Sequence, residues 1–257
     1  MSRLAAIHGI VARDLLRVTR QRSRLLGGLA RPFMWLLLVG TGYGAIARVE
    51  GGSYHAFVFP GIVAMAVFFG GMLTAISTVY DREFGMLRLM LTSPAGAATI
   101  LAGRTISAAV IGGLQGMVVL VAAPLVLDLS PAGFLAAAGA LAAGALCSGA
   151  VGLLVASRLR SVENFAGVIN VVLFPLLFLS GAFYPVSGLP VLLRAVARAN
   201  PVSYQVDLLR HAMGQAPDFS LAGDLLALGL STVLALSIAT LWFDPERRIL
   251  GPGRSVS

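Results

Sequence analysis

The sequence predicts an all-α membrane protein with six transmembrane helices. Hydrophobic residues make up 58% of its 257 residues, charged residues only 12%, and the mean hydropathy is +0.89. Soluble domains carry roughly 25% charged residues, so this chain has too few charges to cover a water-facing surface. Apolar runs of about 20 residues recur along its whole length, as helices that cross a membrane require.

The basic residues are all arginines, because the 19 Lys and Arg positions contain no lysine. A phosphate-binding P-loop needs its Lys, so the chain cannot hold that kind of ATP site, and Schiff-base chemistry is excluded as well. The single Cys147 excludes an internal disulfide and a cysteine metal cluster. His8, His55 and His211 show no ligand spacing and are expected to be interfacial or loop residues.

Residues 1–31 are predicted to form one amphipathic helix that lies in the membrane interface. Its basic face carries arginines at a helical spacing, and its opposite face is apolar, with Leu4, Ile7, Val11, Leu15 and Val18 against Arg13, Arg17, Arg20 and Arg24. Such a helix turns its arginines toward anionic headgroups. The alternative is a cleavable signal sequence, which residues 45–47 (Ala-Ile-Ala) resemble, but thirty Arg-rich residues are too long for its n-region.

Six apolar runs define a transmembrane domain over residues 32–243, followed by a tail over 244–257. The predicted spans are 32–47, 56–79, 97–120, 132–156, 164–180 and 221–243. Pro32 is expected to begin the first span. In the third span, Gly112 and Gly116 lie at a spacing that lets two helices approach closely. The fourth span has a small residue at every fourth position from Ala136 to Ala156, which predicts a packing ridge.

Residues 80–94, with the sequence YDREFGMLRLMLTSP, are predicted to form a short amphipathic helix between spans two and three. A charged triplet opens the segment: Asp81, Arg82 and Glu83. Carboxylates are favoured at the start of a helix, where the helix dipole is positive. Apolar residues then recur on one face, and Pro94 ends the helix: Phe84, Leu87 and Leu91.

Residues 181–219 differ from the spans, because Pro185, Pro190, Pro201 and Pro217 divide them into pieces too short to cross a membrane. A first amphipathic helix is expected over 190–199. Asn200 is expected to cap a second helix that has Pro201 at its first position and Gly214 at its end. Two short helices after a short span predict a re-entrant hairpin.

The distribution of arginine predicts the orientation. An even number of spans puts both termini on one side, and a cytoplasmic N-terminus places fifteen arginines in the cytoplasm and four outside, among the 19 in total. Cytoplasmic loops carry the excess of positive charge. Residues 80–94 are therefore predicted to face the cytoplasm, and the hairpin the outside.

The predicted spans offer no site for chemistry within the chain. No ionisable residue is expected in the middle of any span, whereas ion-coupled carriers usually need one there. Ser77 and Ser148 have no histidine partner in reach for an intramembrane hydrolase. The energy for transport is therefore expected to come from a partner.

Two stretches resemble type-2 ABC (ATP-binding-cassette) transporter permeases. YDREFGMLRLMLTSP resembles that family's cytoplasmic signature, and FPLLFLSGAFYPVSGLP followed by NPVSYQVDLLR resembles its region after the fifth span. With the N-terminal helix and the six spans, the resemblance covers nearly the whole chain. It implies a membrane-spanning exporter subunit without a catalytic, cofactor or metal site of its own, in the bacterial plasma (inner) membrane. Its partners would be a separate ABC ATPase that binds ATP and Mg, a second permease copy or homologous permease, and membrane lipids, but no nucleic acid.

The resemblance also implies roles for single residues. The helix that couples to the ATPase would contain Tyr80, Asp81, Arg82, Glu83, Phe84, Gly85, Leu87 and Arg88. The outer hairpin would contain Asn200, Pro201 and Tyr204. The fifth span would line an apolar path for a hydrophobic or amphipathic substrate with Asn170, Phe174 and Phe178.

Four alternatives remain open at the level of the sequence. The charged triplet could be an ordinary solvated cluster, and the phenylalanines could face lipid. The whole chain could be a non-transporting membrane scaffold or lipid-organising protein, or an ion-coupled secondary transporter.

Overall fold

The computed structural model describes residues 3–44, 53–93 and 95–249, and every regular element in that part of the chain is helical. The α-helices are α1 (Arg3–Arg20), α2 (Arg22–Gly44), α3 (Tyr54–Glu83), α4 (Met86–Leu91), α5 (Ala97–Leu120), α6 (Pro131–Arg158), α7 (Val162–Val168), α8 (Phe174–Phe178), α9 (Val191–Ala199), α10 (Pro201–Ala212) and α11 (Leu221–Ile249).

Four helical stretches are long and apolar enough to cross a membrane among the described residues: α3, α5 with the turn that follows it, α6, and Leu221–Phe243 of α11. A shorter apolar stretch, Val162–Phe178, consists of α7, a π-helical turn at Ile169–Leu173, and α8. The structure thus confirms an all-helical protein of the membrane type with four candidate spans. The count of six spans stays a prediction.

Helix α3 occupies the centre of the bundle and packs against α2, α5, α6 and α10. Residues on all its sides are buried, from Val58 and Phe59 to Val79. A helix that is apolar all round is expected to lie inside a bundle rather than at its surface. Pro60 lies within α3, as proline often does in membrane helices.

Glycine lets α3 and α5 approach each other closely, as the spacing of Gly112 and Gly116 predicted. A Cβ atom added to Gly112 would lie 2.6 Å from the carbonyl oxygen of Val67 and 3.1 Å from the amide nitrogen of Gly71. Both atoms belong to the backbone of α3, which cannot move aside. Only glycine fits at this crossing.

The packing ridge predicted for the fourth span is present in α6 except at its start. Gly144 lies against the Gln205 side chain of α10, and Ser148 donates a hydrogen bond of 3.2 Å to that residue. Gly152 packs against Met72 of α3. Ala136 is exposed, so the ridge begins one turn later.

The N-terminal region differs from the prediction of one helix over residues 1–31. The chain forms α1 and α2, which meet at Gln21, and Pro32 lies inside α2 rather than at its start. Proline is a weak marker of a helix start in a membrane protein, because it is also common within membrane helices. Arg31 consequently lies within α2 and not in an interfacial segment that precedes a span.

Other predicted boundaries agree more closely. Helix α5 has the predicted bounds, and α6 extends its prediction by one residue at its start and two at its end. Helix α11 continues to Ile249, so the predicted tail over 244–257 begins within a helix. Pro94 and residues 45–52 and 250–257, which include most of the predicted loop between the first two spans, lie outside the described part of the chain.

The bundle has two ends, which are named here by their contents. At the Asp81 end, α3 ends, α5 begins, α6 ends and α7 begins. At the hairpin end, α10 packs against α3, and residues before α9 and after α10 bind the start of α3. The Gln215 side chain donates to the Ala56 carbonyl (2.7 Å), and the Tyr54 hydroxyl donates to the Phe183 carbonyl (2.9 Å).

We expect Gly112→Ala to destabilise the protein, because its methyl group would collide with the α3 backbone. Overpacking of this kind costs about 1–3 kcal/mol. The thermal unfolding midpoint of the purified chain in detergent should therefore fall by several degrees. Gly113→Ala is the matched control, since a Cβ there would lie 3.8 Å from Leu141, at ordinary contact distance. Equal midpoints for the two variants would contradict the close crossing.

Candidate functional site

The charged triplet Asp81, Arg82 and Glu83 lies in the last turn of α3, not at the start of a separate helix. Helix α3 ends at Glu83, Gly85 adopts a positive φ of 77°, and α4 follows from Met86. The prediction that the triplet begins the short helix is therefore wrong. The C-terminal end of a helix disfavours carboxylates, so Asp81 and Glu83 need partners from elsewhere in the chain.

Asp81 is the centre of a buried network of charges. Its Oδ2 accepts hydrogen bonds from Arg104 of α5 and from Arg13 of α1 (3.0 Å), and its Oδ1 accepts one from Arg17 (3.0 Å). Arg104 also contacts both carboxylate oxygens of Asp14 at 3.3 Å. Asp81, Asp14 and Arg104 are each at most 2% exposed. Three arginines thus share two aspartates, and the network joins α1, α3 and α5.

This network corrects two expectations. Arg13 and Arg17 were expected to point toward lipid headgroups, but both bind Asp81. Arg104 was counted among the cytoplasmic topology residues, but it is buried inside α5. An arginine within a predicted span is by itself a sign of a buried partner, and that sign was present in the sequence.

Arg82 binds the end of α6. Its Nη1 donates to the carbonyl oxygens of Ala156 (2.5 Å) and Leu159 (2.8 Å), and its guanidinium lies 5.0 Å from the centre of the Phe243 ring of α11. The last carbonyls of a helix lack partners within that helix. Arg82 therefore caps α6 and attaches it to α3.

Glu83 binds the start of α7. One carboxylate oxygen accepts a hydrogen bond of 3.2 Å from the amide of Val162, the first residue of that helix. A negative charge is favourable at this position because the helix dipole is positive there. The three residues of the triplet thus connect α3 to α1, α5, α6, α7 and α11.

The predicted apolar stripe of Phe84, Leu87 and Leu91 is divided between two environments. Leu87 and Leu91 are buried against Leu101, while Phe84 is 75% exposed and stacks on the Tyr80 ring at 5.9 Å. The stripe is broken because the positive φ of Gly85 separates Phe84 from the register of α4.

The outward surface of this segment is apolar with one cation. Leu89 is 70% exposed and Met86 48% exposed, and Arg88 lies on the same short helix. With Phe84 they form what is called here the α4 surface: Phe84, Met86, Arg88 and Leu89. A cavity of about 470 Å³ lies beside it, between Arg17 of α1 and the Tyr80 and Phe84 side chains.

Asn200, Pro201 and Tyr204 link α8, α9 and α10, and the predicted cap of α10 is present. The Asn200 side chain accepts from the Val202 amide (3.1 Å) and donates to the Leu176 carbonyl of α8 (2.6 Å). Pro201 is the first residue of α10, and Gly214 has a positive φ of 69° after its end. The Tyr204 hydroxyl donates to the Arg198 carbonyl (2.5 Å).

The three residues predicted to line a path lie along the stretch Val162–Phe178. Asn170 is exposed in the π-helical turn. Phe174 contacts Phe69 of α3 with ring centres 5.3 Å apart, and Phe178 contacts Trp35 of α2 at 5.5 Å. The two phenylalanines therefore pack within the chain, and their role in a path stays a prediction.

A charged residue also lies at this depth, contrary to the expectation for the spans. The Arg31 guanidinium of α2 is 5.4 Å from the centre of the Phe69 ring, and Phe69 is near the midpoint of α3. Arg31 is exposed. Sequence reasoning missed it because it placed Arg31 before the first span.

Comparisons with known proteins agree on one family. A sequence model of the ABC-2 type transporter family matches residues 5–213, which include the triplet, the α4 surface and the hairpin. Nodulation protein J of Rhizobium leguminosarum bv. trifolii is 30% identical over 231 residues, which are 89% of this chain and 87% of that protein. The putative transport permease ycf38 of Pyropia yezoensis is 30% identical over 222 residues, which are 82% of this chain and 74% of that protein.

We expect Asp81→Asn to destabilise the isolated chain, because it removes a charge that three arginines share. Breaking a buried ion pair costs about 3–5 kcal/mol. The thermal unfolding midpoint should fall clearly in detergent, without any partner present. Glu163→Gln is the control, since Glu163 is an exposed carboxylate at the same end of the bundle. An unchanged midpoint for Asp81→Asn would show that the network does not hold α1 and α5 to α3.

Proposed function

The chain belongs to the ABC-2 type transporter family, and from this membership we propose that it is the membrane-spanning subunit of an exporter driven by a separate ABC ATPase. The P-loop lysine is absent from its sequence, which contains no lysine. The ATP and Mg would therefore be bound by the partner chain.

The α4 surface is the observation that carries this proposal. Exposed apolar patches rimmed by polar groups mark binding surfaces, and Phe84 and Leu89 are 75% and 70% exposed beside Arg88. We propose that the ATPase binds here. Phe84, Met86, Arg88 and Leu89 would contact it, while the other predicted coupling residues attach the surface to the bundle.

The contacts that attach the α4 surface to the bundle support a role in coupling to the ATPase. Asp81, Arg82 and Glu83 hold the last turn of α3 against five other helices, and Leu87 of α4 is only 1% exposed. A push on a surface held in this way would move the helices with it. The triplet would then transmit force through contacts within the chain rather than pair directly with the ATPase.

The finer topology is part of the proposal. Helix α2 and the stretch Val162–Phe178 would be the first and fifth of six spans, with both termini in the cytoplasm of a bacterial inner membrane and the hairpin outside. Helix α2 exposes Leu37 (63%) and Leu38 (67%) along its length. This supports contact with lipid or with a second permease copy, in a homodimer or heterodimer.

Arg31 bears on the class of substrate. An exposed cation beside Phe69, whose ring contacts Phe174, gives this face a positively charged element. An amphipathic substrate with an acidic or hydroxyl-rich part fits it better than a purely hydrophobic one. Competition between anionic and neutral amphiphiles in a transport assay would distinguish the two classes.

The two other function classes are weaker. The argument against an ion-coupled carrier cannot rest on a lack of charged residues, because Arg31 and Arg104 lie within helices of the bundle. It rests on the family instead. A non-transporting scaffold is disfavoured on the same ground, since the relatives include a putative transport permease.

We expect the double variant Phe84→Ser, Leu89→Ser to lose the ATPase while it stays folded. Removal of two apolar anchors from an interface weakens binding by roughly 30-fold or more. Co-purification of the partner ATPase subunit, and stimulation of its ATP hydrolysis by the permease, should both fall. The thermal unfolding midpoint of the isolated permease should change little, because both side chains are exposed.

Leu192→Ser is the matched control, since Leu192 is 76% exposed at the hairpin end. It should retain the ATPase. If the double variant bound and stimulated the ATPase as the control does, the α4 surface would not be the docking site.

We also expect single cysteines at positions 88 and 198 to be labelled from opposite sides of the membrane. Cys147 is buried and should react slowly. Arg88→Cys in inverted inner-membrane vesicles, and Arg198→Cys in intact spheroplasts, should react with a membrane-impermeant maleimide. Labelling of both from the same side would contradict the proposed orientation.

A further inference from the structure

A cluster of three metal-ligating side chains lies at the hairpin end, where α10 meets the start of α11. Asp207 and His211 are four residues apart on α10, and Asp224 lies in the first turn of α11. One ligand atom from each lies within 4.8 Å of the others. This group is called here the hairpin cluster, and it takes no part in the ATPase coupling proposed above.

Asp224 is the residue that points to a ligand. Its side chain is 0% exposed, and neither carboxylate oxygen has a hydrogen-bond partner among the described residues. A buried carboxylate without a partner is strongly disfavoured. The nearest basic atom is the His211 Nε2, at 3.4 Å from the Asp224 Oδ2.

Asp207 is held in place by two hydrogen bonds, and its carboxylate can still accept further ligands. Its two oxygens accept hydrogen bonds from the amides of Asp218 (2.7 Å) and Phe219 (2.8 Å). A carboxylate has about four lone-pair sites, so Asp207 can still bind a cation. The neighbouring cation Arg210 is engaged with Asp218 at 3.0 Å and with the Gly181 carbonyl at 2.6 Å.

The distances from the His211 Nε2 to its three oxygen neighbours are close to those between ligands of zinc. Around the His211 Nε2, the Asp224 Oδ2 lies at 3.4 Å, the Asp207 Oδ2 at 3.9 Å and the Phe219 carbonyl oxygen at 3.1 Å. Tetrahedral ligands that are each about 2.0–2.1 Å from Zn²⁺ are roughly 3.3 Å apart. Shifts of about 0.6 Å or less would bring these three distances from the His211 Nε2 to that spacing. His211 is partly exposed, which leaves a way in.

We propose that the hairpin cluster binds a divalent transition-metal ion of the Zn²⁺ class. Asp207, His211 and Asp224 would be its ligands, and the Phe219 carbonyl oxygen would be the fourth donor atom. Two carboxylates and one imidazole suit such an ion better than Mg²⁺, which prefers oxygen ligands in an octahedral arrangement. The ion would fasten the hairpin to the last span.

Sequence reasoning had treated His211 as an isolated loop histidine. The signal that could have found the cluster was the spacing of Asp207 and His211, because residues four apart lie on one face of a helix. Asp224 is 13 positions beyond His211 in the sequence and comes close only through the fold.

The test uses the full-length permease, purified alone in detergent, treated with a chelator and desalted. Titration with Zn²⁺ should show one site per chain, and excess Mg²⁺ should not compete. His211→Gln and Asp224→Asn should each weaken binding by at least about 100-fold, since loss even of an outer-shell partner costs 10–100-fold. The matched controls His8→Gln and Asp128→Asn change exposed residues outside the cluster and should bind as the wild type does.

A second measurement does not depend on the variants. Co²⁺ bound to the wild type should give the intense visible absorption of a tetrahedral site, and Zn²⁺ should remove it. The proposal is overturned if the wild type binds neither ion, or if His211→Gln binds Zn²⁺ as tightly as His8→Gln does. It is equally overturned if Zn²⁺ leaves the thermal unfolding midpoint of the wild type unchanged, because the ion would then not fasten the hairpin to the last span.

Discussion

The burial of Asp81 among three arginines is the constraint on which the arrangement of the bundle depends. An ion removed from water costs several kcal/mol unless its partners are well placed. Asp81, Asp14 and Arg104 are almost fully buried, so none of the three can be satisfied unless α1, α3 and α5 meet as they do. Apolar packing alone would let α1 slide along α5, and the charges remove that freedom. The network therefore defines the position of α1 more than it adds to stability.

The last turn of α3 also explains why the α4 surface is fixed relative to the bundle. Gly85 ends α3 and lets the chain turn back, so α4 lies against the bundle through Leu87 and Leu91. Arg82 and Glu83 then bind a helix C-terminus and a helix N-terminus, each of which exposes backbone groups of the complementary charge. A side chain that caps another helix cannot move without that helix. The polar triplet thus connects helices inside the protein, while its apolar neighbours Phe84, Met86 and Leu89 face outward.

The sequence predicted the features that local chemistry determines. The Asn200–Pro201 cap, the positive φ of Gly214 and the bounds of α5 depend on residues next to one another, and all were predicted. The end of α3 and the partners of Asp81 depend on residues 23 to 68 positions away. The local sequence of a charged triplet does not distinguish the end of one helix from the start of the next. Arg104 was misjudged because arginines near span ends usually mark topology, and only the fold shows which carboxylates it pairs with.

The stretch Val162–Phe178 connects the two predicted functional regions. Its first amide binds Glu83 at the Asp81 end, and the Leu176 carbonyl near its other end binds Asn200 of the hairpin. It is 17 residues long, about 26 Å as a helix, which is short against the roughly 30 Å of a bilayer core. Its π-helical turn at Ile169–Leu173 lies between the two attachments, and such turns often occur at functional sites.

A displacement of the α3 end relative to the hairpin must be taken up along this stretch, because both of its ends are hydrogen-bonded and α3 itself is packed on all sides. The π-helical turn is the place where the helix can absorb that displacement with the least loss of backbone hydrogen bonding, and it is also where Asn170 is exposed.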